Sequence, residues 1–312
     1  MKILVLGAGA TGGYFGGRLA QAGADVTFLV RERRAAQLAA NGLVVLSPHG
    51  DFTLRVPFVT QSELRAEYDL VMLTCKAYDL DAAIESVRPA MIPATHVLPL
   101  LNGLAHIDRL DAEFGAQRVL GGTCHVASTL SPTGEVRQMT PIHRITYGVL
   151  PGTSAEARKK LGALHAYYGR TSVEAVLADD IQLELWEKFV LLTSLATMTC
   201  LMRSSVGDIM ATEEGEALMG ETFGACVRTA AAAGHAPREK AVAGARKLLF
   251  ERGSQFTASM LRDIEGGHRI EGEHIVGDML RRARAAGVDP GPLRAAHAHL
   301  QAYQARRLRD GG

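Results

Sequence analysis

The hexapeptide Gly7-Ala8-Gly9-Ala10-Thr11-Gly12 stands directly after the apolar run Lys2 to Leu6 and directly before a helical pattern, Thr11 to Ala22. No other feature of the 312-residue chain constrains its fold as tightly. A G-x-G-x-x-G in that setting makes three separate demands on the backbone. Gly7 permits the tight turn, Gly9 lets the main chain approach a pyrophosphate, and Gly12 lets the next helix pack closely on the strand. The helix N-terminus, at Ala10 and Thr11, then offers N–H groups and a partial positive charge to an anion. A second strand pattern, Asp25 to Val30, follows in register, so the segment predicts the first βαβ unit of a dinucleotide-binding domain.

The alternation continues beyond it. Short β-branched or apolar runs at Asp69 to Thr74, His96 to Leu101 and Arg118 to Gly121 are separated by helical patterns at Glu32 to Ala40, Asp79 to Met91 and Ala105 to Phe114. Strands and helices at this spacing make a parallel sheet wound on both faces, a Rossmann-type α/β fold. Ser47-Pro48-His49-Gly50-Asp51 and Ser131-Pro132-Thr133-Gly134 carry turn chemistry between β-rich runs. Each predicts a hairpin, so the sheet is expected to be mixed. Character changes at Asp179-Asp180, two acids suited to a helix N-terminus, ahead of a helical pattern from Ile181 to Arg203. Further helical patterns run over Thr212 to Ala233, Arg238 to Arg252, Gly272 to Ala286 and Pro292 to Arg309, with no convincing strand among them. The expected organisation is a doubly wound dinucleotide-binding domain over residues 1–178 and an all-helical substrate and catalytic domain over 179–312.

Charge and cysteine usage exclude several classes. Lys and Arg total 34 against 33 Asp and Glu, divided 17 to 15 up to residue 178 and 17 to 18 beyond it, so neither half has the basic excess of a nucleic-acid binder. Cys75, Cys124, Cys200 and Cys226 lie far apart with no C-x-x-C, which predicts reduced core cysteines and no metal site. The N-terminal apolar run is too short for a signal peptide. Phe189 to Met202 is shorter than a bilayer span and is interrupted by Thr193, Ser194, Thr197 and Thr199. A soluble cytoplasmic protein with no membrane contact is expected, and a homodimer is left open.

The choice of dinucleotide is made where the second strand ends, because NAD proteins place an acid there for the ribose 2'-hydroxyl. This chain has Arg31. A guanidinium grips a 2'-phosphate by paired hydrogen bonds, so NADPH/NADP+ is favoured. Lys76, just past the strand Asp69 to Thr74, reaches the same crevice from the next loop.

With these residues in hand, the chain resembles the ketopantoate reductase (2-dehydropantoate 2-reductase) family over nearly its full length. Leu101-Asn102-Gly103 matches the family's N-G turn, Trp186-Glu187-Lys188 its W-x-K, and Ser259-Met260-Leu261-Arg262-Asp263-Ile264 its S-M-L-Q-D block with Arg262 in place of the glutamine. Glu271 matches the glutamate twelve residues after that block's serine. The resemblance implies a small-molecule partner, a 2-keto acid, held between the two domains and reduced by NADPH. In the reaction of pantothenate biosynthesis that acid is ketopantoate and the product pantoate. By the same resemblance Lys188 is the general acid, Glu271 binds the substrate's hydroxyl, Ser259 hydrogen-bonds the substrate, and Asn102 positions both substrate and cofactor. Read from the residues alone, Glu271 sits in a charged run with Glu265, Arg269 and Glu273. Only the family spacing selects it over Glu273. His125, His143 and His268 read as structural.

The family pattern is broken at three places. Asparagines four and eight residues after the lysine, and a third three residues before the serine, are here Leu192, Ala196 and Phe256. Leu192 and Ala196 share a helix face with Lys188, so the pattern predicts an apolar wall where the family has amides. A substrate hydroxyl opposite such a wall loses partners at about 1 to 3 kcal/mol per unpaired group. Three readings stay open: a ketopantoate reductase, a reductase of a more apolar 2-keto acid, and an NADP-binding sensor without turnover.

Overall fold

The computed structural model describes residues Met1–Gly311. By its contacts the chain divides into one unit of Met1–Leu101 with His106–Ile181, and a second of Asn102–Ala105 with Gln182–Gly312.

In the first unit the elements run β1 (Lys2–Leu6), α1 (Ala10–Gln21), β2 (Asp25–Leu29), α2 (Glu32–Asn41), β3 (Leu43–Leu46), β4 (Phe52–Leu54), β5 (Phe58–Val59), β6 (Leu70–Leu73), α3 (Leu80–Val87), β7 (His96–Pro99), α4 (Ala105–Phe114), β8 (Leu120–Leu130), β9 (Val136–Val149), α5 (Ala155–Tyr168) and β10 (Glu174–Leu177). They form two sheets where the sequence predicts one mixed sheet. The first, in the order β5-β2-β1-β6-β7, is parallel throughout. The second carries the order β10-β9-β3-β4 with β8 paired to β9, and is mixed. Both predicted hairpins are present, as β3–β4 and β8–β9. The strand expected to end at Gly121 runs on to Leu130, because its long antiparallel partner β9 supplies hydrogen bonds that residue pattern alone does not reveal. The helix expected over Asp79 to Met91 is shortened to α3, with a 3-10 turn on each side, the second containing Pro89.

Helix α1 is enclosed by these sheets, and its glycines explain how. A Cβ on Gly16 would lie 2.9 Å from the Phe28 ring, and one on Gly12 3.2 Å from Val5, both in the parallel sheet. A Cβ on Gly13 would lie 2.8 Å from Val136, and one on Gly17 3.0 Å from Leu43, both in the mixed sheet. Phe15, Leu19, Phe28, Leu43, Met72, Tyr147 and Tyr168 fill the surrounding core.

The second unit is helical: α6 (Ile181–Met202), α7 (Val206–Met210), α8 (Gly215–Ala232), α9 (Glu239–Leu249), α10 (Ser259–Glu265), α11 (Asp278–Ala285) and α12 (Leu293–Arg309). Helix α6 is long and apolar enough to cross a bilayer, but 67% of its apolar window is buried, which is how the core helix of a globule behaves. Helix α10 lies outside the helical patterns expected from the sequence. It has only seven residues, too few for a periodicity to register. A turn of π-helix, Glu273–Gly277, leads into α11. All four cysteines are free, and burial pushes the Cys200 and Cys226 thiols up to about 12, so both stay protonated.

Candidate active site

In the parallel sheet Leu6 pairs with both Leu29 and Leu73, so β1, β2 and β6 end level with one another. Strand order reverses at β1, and open α/β sheets bind ligands beyond the strand ends at such a point. A cavity of about 980 Å³ opens there, of a size suited to a large cofactor. Gly7, Gly9, Arg31, Thr60, Thr74 and Ser131 are on its wall.

Each glycine of the turn meets its own demand. Gly7 has φ +92°, where a side chain would be strained, and its N–H donates to Leu29 O at 2.9 Å. Gly9 precedes the first residue of α1 without a side-chain cap, and the space where its Cβ would stand is empty to 4 Å. The N–H groups of Ala10, Thr11 and Gly12 belong to the first turn and have no intrahelical acceptor. A Cβ on Gly12 would stand 2.2 Å from Gly7 O and 2.4 Å from Thr74 Oγ1, and that hydroxyl donates to Leu6 O at 2.7 Å. An anion therefore has open backbone to approach at Gly9 and donors to meet it.

Arg31 caps α2 with extended backbone. It is exposed, and its guanidinium pairs with no carboxylate among the described residues. Lys76 follows Cys75 of the cavity wall and is half-buried at the head of the 3-10 turn Ala77–Asp79. This donor set fits a phosphorylated dinucleotide: a bare helix N-terminus for the pyrophosphate, and an uncompensated guanidinium at the strand end where the ribose is read.

The remaining sequence-selected residues belong to the helical unit. On α6, Trp186 is buried, stacks on His235 with ring centroids 5.7 Å apart, and lies under the Arg282 guanidinium. Glu187 Oε1 accepts from both Arg238 N and Arg238 Nε at 2.8 Å. Lys188 is half-buried one residue further on. Leu192 is half-buried, whereas Ala196 is fully enclosed at 0% exposure. Phe256 is 39% exposed, and its carbonyl accepts from Val206 N at 3.0 Å, which fixes its main chain at the start of α7. Ser259 is the first residue of α10 and half-buried.

Glu271 and Glu273, which charge pattern alone does not separate, have opposite environments. Glu273 is exposed and occupied by His297 Nε2 at 3.0 Å, Gln301 Nε2 at 2.8 Å and Arg281 Nη1 at 3.4 Å. Glu271 is 5% exposed, and its carbonyl accepts from the main chains of His274 and Ile275.

His274 is the residue that sequence reasoning missed. It lies in the π-helical turn, its imidazole hydrogen-bonds the Asn102 main chain, and the Glu271 and Asp278 charges act on it. Burial pulls its pKa below the usual histidine value, with Arg281 adding to that, while Glu271, Asp278 and the Asn102 bond pull the other way. Asn102 and Glu271, distant in sequence, thus both act on one imidazole, Asn102 through a main-chain hydrogen bond and Glu271 through its charge. No local signal marks it, since Glu271 stands outside the helical pattern that begins at Gly272 and the turn carrying His274 is π-helical.

The sequence matches two family models, one described as ketopantoate reductase PanE/ApbA over residues 3–152 and one as ketopantoate reductase PanE/ApbA C terminal over residues 180–304. An oxidoreductase of uncharacterised activity from Bacillus subtilis, YkpB, is 33% identical over 98% of this chain and 100% of its own. The 2-dehydropantoate 2-reductase of Halobacterium salinarum is 28% identical over 91% of this chain and 92% of its own. Among solved structures, the 2-dehydropantoate 2-reductase of Geobacter metallireducens superposes with a TM-score of 0.85 at 28% identity, covering 96% of this chain and 99% of its own.

Proposed function

Because the chain belongs to the ketopantoate reductase family, whose members are NADP-dependent oxidoreductases, we propose that it reduces a 2-keto acid to the 2-hydroxy acid, with ketopantoate as the leading substrate. The observation that carries this reading is the cluster of Asn102, Glu271 and His274. A sensor that only binds nucleotide has no use for a buried carboxylate whose charge acts on the histidine that holds that turn.

Bound NADPH supplies the hydride that the ketone carbon accepts. Lys188, as an ammonium, donates a hydrogen bond to the ketone oxygen and gives up its proton as negative charge develops there. Glu271 accepts a hydrogen bond from the substrate's hydroxyl, Ser259 hydrogen-bonds the substrate, and Asn102 orients it. Arg31 and Lys76 hold the cofactor's 2'-phosphate, and the turn from Gly7 to Gly12 receives its pyrophosphate.

A second reading, a more apolar 2-keto acid, is favoured by Leu192 and Phe256, which offer partly accessible hydrocarbon where the family pattern has amides. One experiment tests both: kcat/KM of the purified protein with NADPH across ketopantoate, 2-ketoisovalerate and longer 2-keto acids. Turnover of none of them would defeat the proposal.

A further inference from the structure

Residues 102–104 belong to the helical unit and form a bend with no hydrogen-bonded turn of their own. Backbone groups in such a bend need partners from elsewhere. The Asn102 main chain finds one in the His274 imidazole. That bond favours the protonated ring, so the imidazole donates and the Asn102 carbonyl accepts. The Cδ2–Nε2 edge of the same ring lies against Gly103, where an added Cβ would stand 3.3 Å from Nε2. One side chain therefore holds both residues of the Asn-Gly pair.

The imidazole is itself firmly placed. Its own turn is π-helical, a form that recurs at functional sites. Glu273, one residue before it, is anchored on α12 by His297 and Gln301, and a Cβ on Gly272 would stand 3.1 Å from Leu300 Cβ of the same helix. Ile275 and Val276, which follow it, are buried. The charged groups that act on the ring are Glu271 on its own segment and Asp278 and Arg281 of α11. The two acids favour the imidazolium, and with it the bond to Asn102, while Arg281 opposes them.

Resting on the reading of Asn102 as the residue that orients the 2-keto acid and the cofactor, we propose that His274 is a positioning residue for the reduction. It acts through Asn102: by fixing that residue's carbonyl it sets where the side-chain amide points. An orienting group that is let loose costs rate more than affinity, because near-attack geometry is what it supplies.

A double-mutant cycle separates positioning from packing. His274→Phe keeps a ring against Gly103 and loses the donor. It is expected to lower kcat about tenfold or more, with KM for the 2-keto acid and Kd of NADPH within about threefold of wild type. His274→Gln, whose amide reaches about as far as Nε2, should recover kcat to within about threefold. In an Asn102→Ala background the loss caused by His274→Phe should shrink to less than about twofold, because the residue through which it acts is gone. His274→Leu runs the same cycle if the larger ring does not fold. Losses that multiply in the double variant, a kcat unchanged by loss of the donor, or a His274→Gln no better than His274→Phe would each overturn the role. Wild-type protein that turns over no 2-keto acid would instead defeat the reading of the site, and this role with it, before any variant is made.

Discussion

Gly103 lies so close to His274 that no side chain fits between them. A Cβ on Gly103 would stand 2.9 Å from the imidazole Cδ2 and 3.0 Å from the His274 carbonyl oxygen, and Gly103 has φ +80°. The turn after β7 is therefore shaped by the π-helical turn that follows Glu271, and only glycine satisfies both the backbone angle and the space.

Gly103→Ala should displace Asn102 as well as strain the turn. The expected cost is about 1 to 3 kcal/mol of unfolding free energy in urea, with kcat/KM lowered about tenfold or more and NADPH affinity close to wild type. Unchanged kcat/KM in a destabilised protein would show that the turn is structural only.

Lys188→Ala should lower kcat by about 10² or more while the Kd of NADPH stays within about twofold, since the loss falls on proton delivery. Single-turnover rates with saturating NADPH are the measurement. A kcat at the wild-type level would return Lys188 to the surface residues.

Stability should fall in mild acid because of a buried histidine in the first unit. His143 Nδ1 is 2.7 Å from the Tyr14 hydroxyl, and its ring stacks on His49 with centroids 3.6 Å apart. Burial, with His49 and Arg18 adding to it, lowers its pKa to about 4. The unfolded chain takes up a proton near the ordinary value of about 6.5 and the folded chain does not. The contribution is therefore complete above about pH 6.5 and is lost as pH falls toward 4. About 1 to 2 kcal/mol should go over that window. His143→Gln should flatten the dependence of Tm on pH there; an equally steep profile in the variant would assign the effect to other groups.

Leu192→Asn should shift substrate preference toward ketopantoate, measured as the ratio of its kcat/KM to that of 2-ketoisovalerate. A restored amide adds about 1 to 3 kcal/mol of discrimination for a hydroxyl, whereas an apolar wall gains about 0.8 kcal/mol per buried CH2. Ala196 is left alone, because at 0% exposure an asparagine there would overpack the core. A wild type that already prefers ketopantoate would mean that other groups bind its hydroxyl.

The glycine turn was legible in sequence because each of its positions answers to a local constraint: a strand end, a helix start and a ribose. The β8–β9 pairing was less so. Its hydrogen bonds join residues that no local pattern links, and strand propensity near Gly121 and Gly122 is poor. Asn102–Ala105 grouping with the helical unit was invisible for the same reason, since four residues carry no periodicity. His274 escaped because its meaning lies in a tertiary partner, the Asn102 main chain. Burial is what distinguishes Glu271 from Glu273, and charge pattern does not report burial.

The glycines that let α1 sit between two sheets also make it a poor helix on its own. Gly12, Gly13, Gly16 and Gly17 fall within twelve residues, and each costs about 1 kcal/mol relative to alanine in helix propensity. The isolated segment would be coil, so its helical order has to be supplied by partners as remote as Val136, whose arrival is slowed by the length of chain to be closed. The phosphate cradle is then among the last parts of the chain to form during folding, and a nascent chain released before β9 would have none. Pulse-labelled hydrogen exchange that found the α1 amides protected before those of β9 would contradict this order.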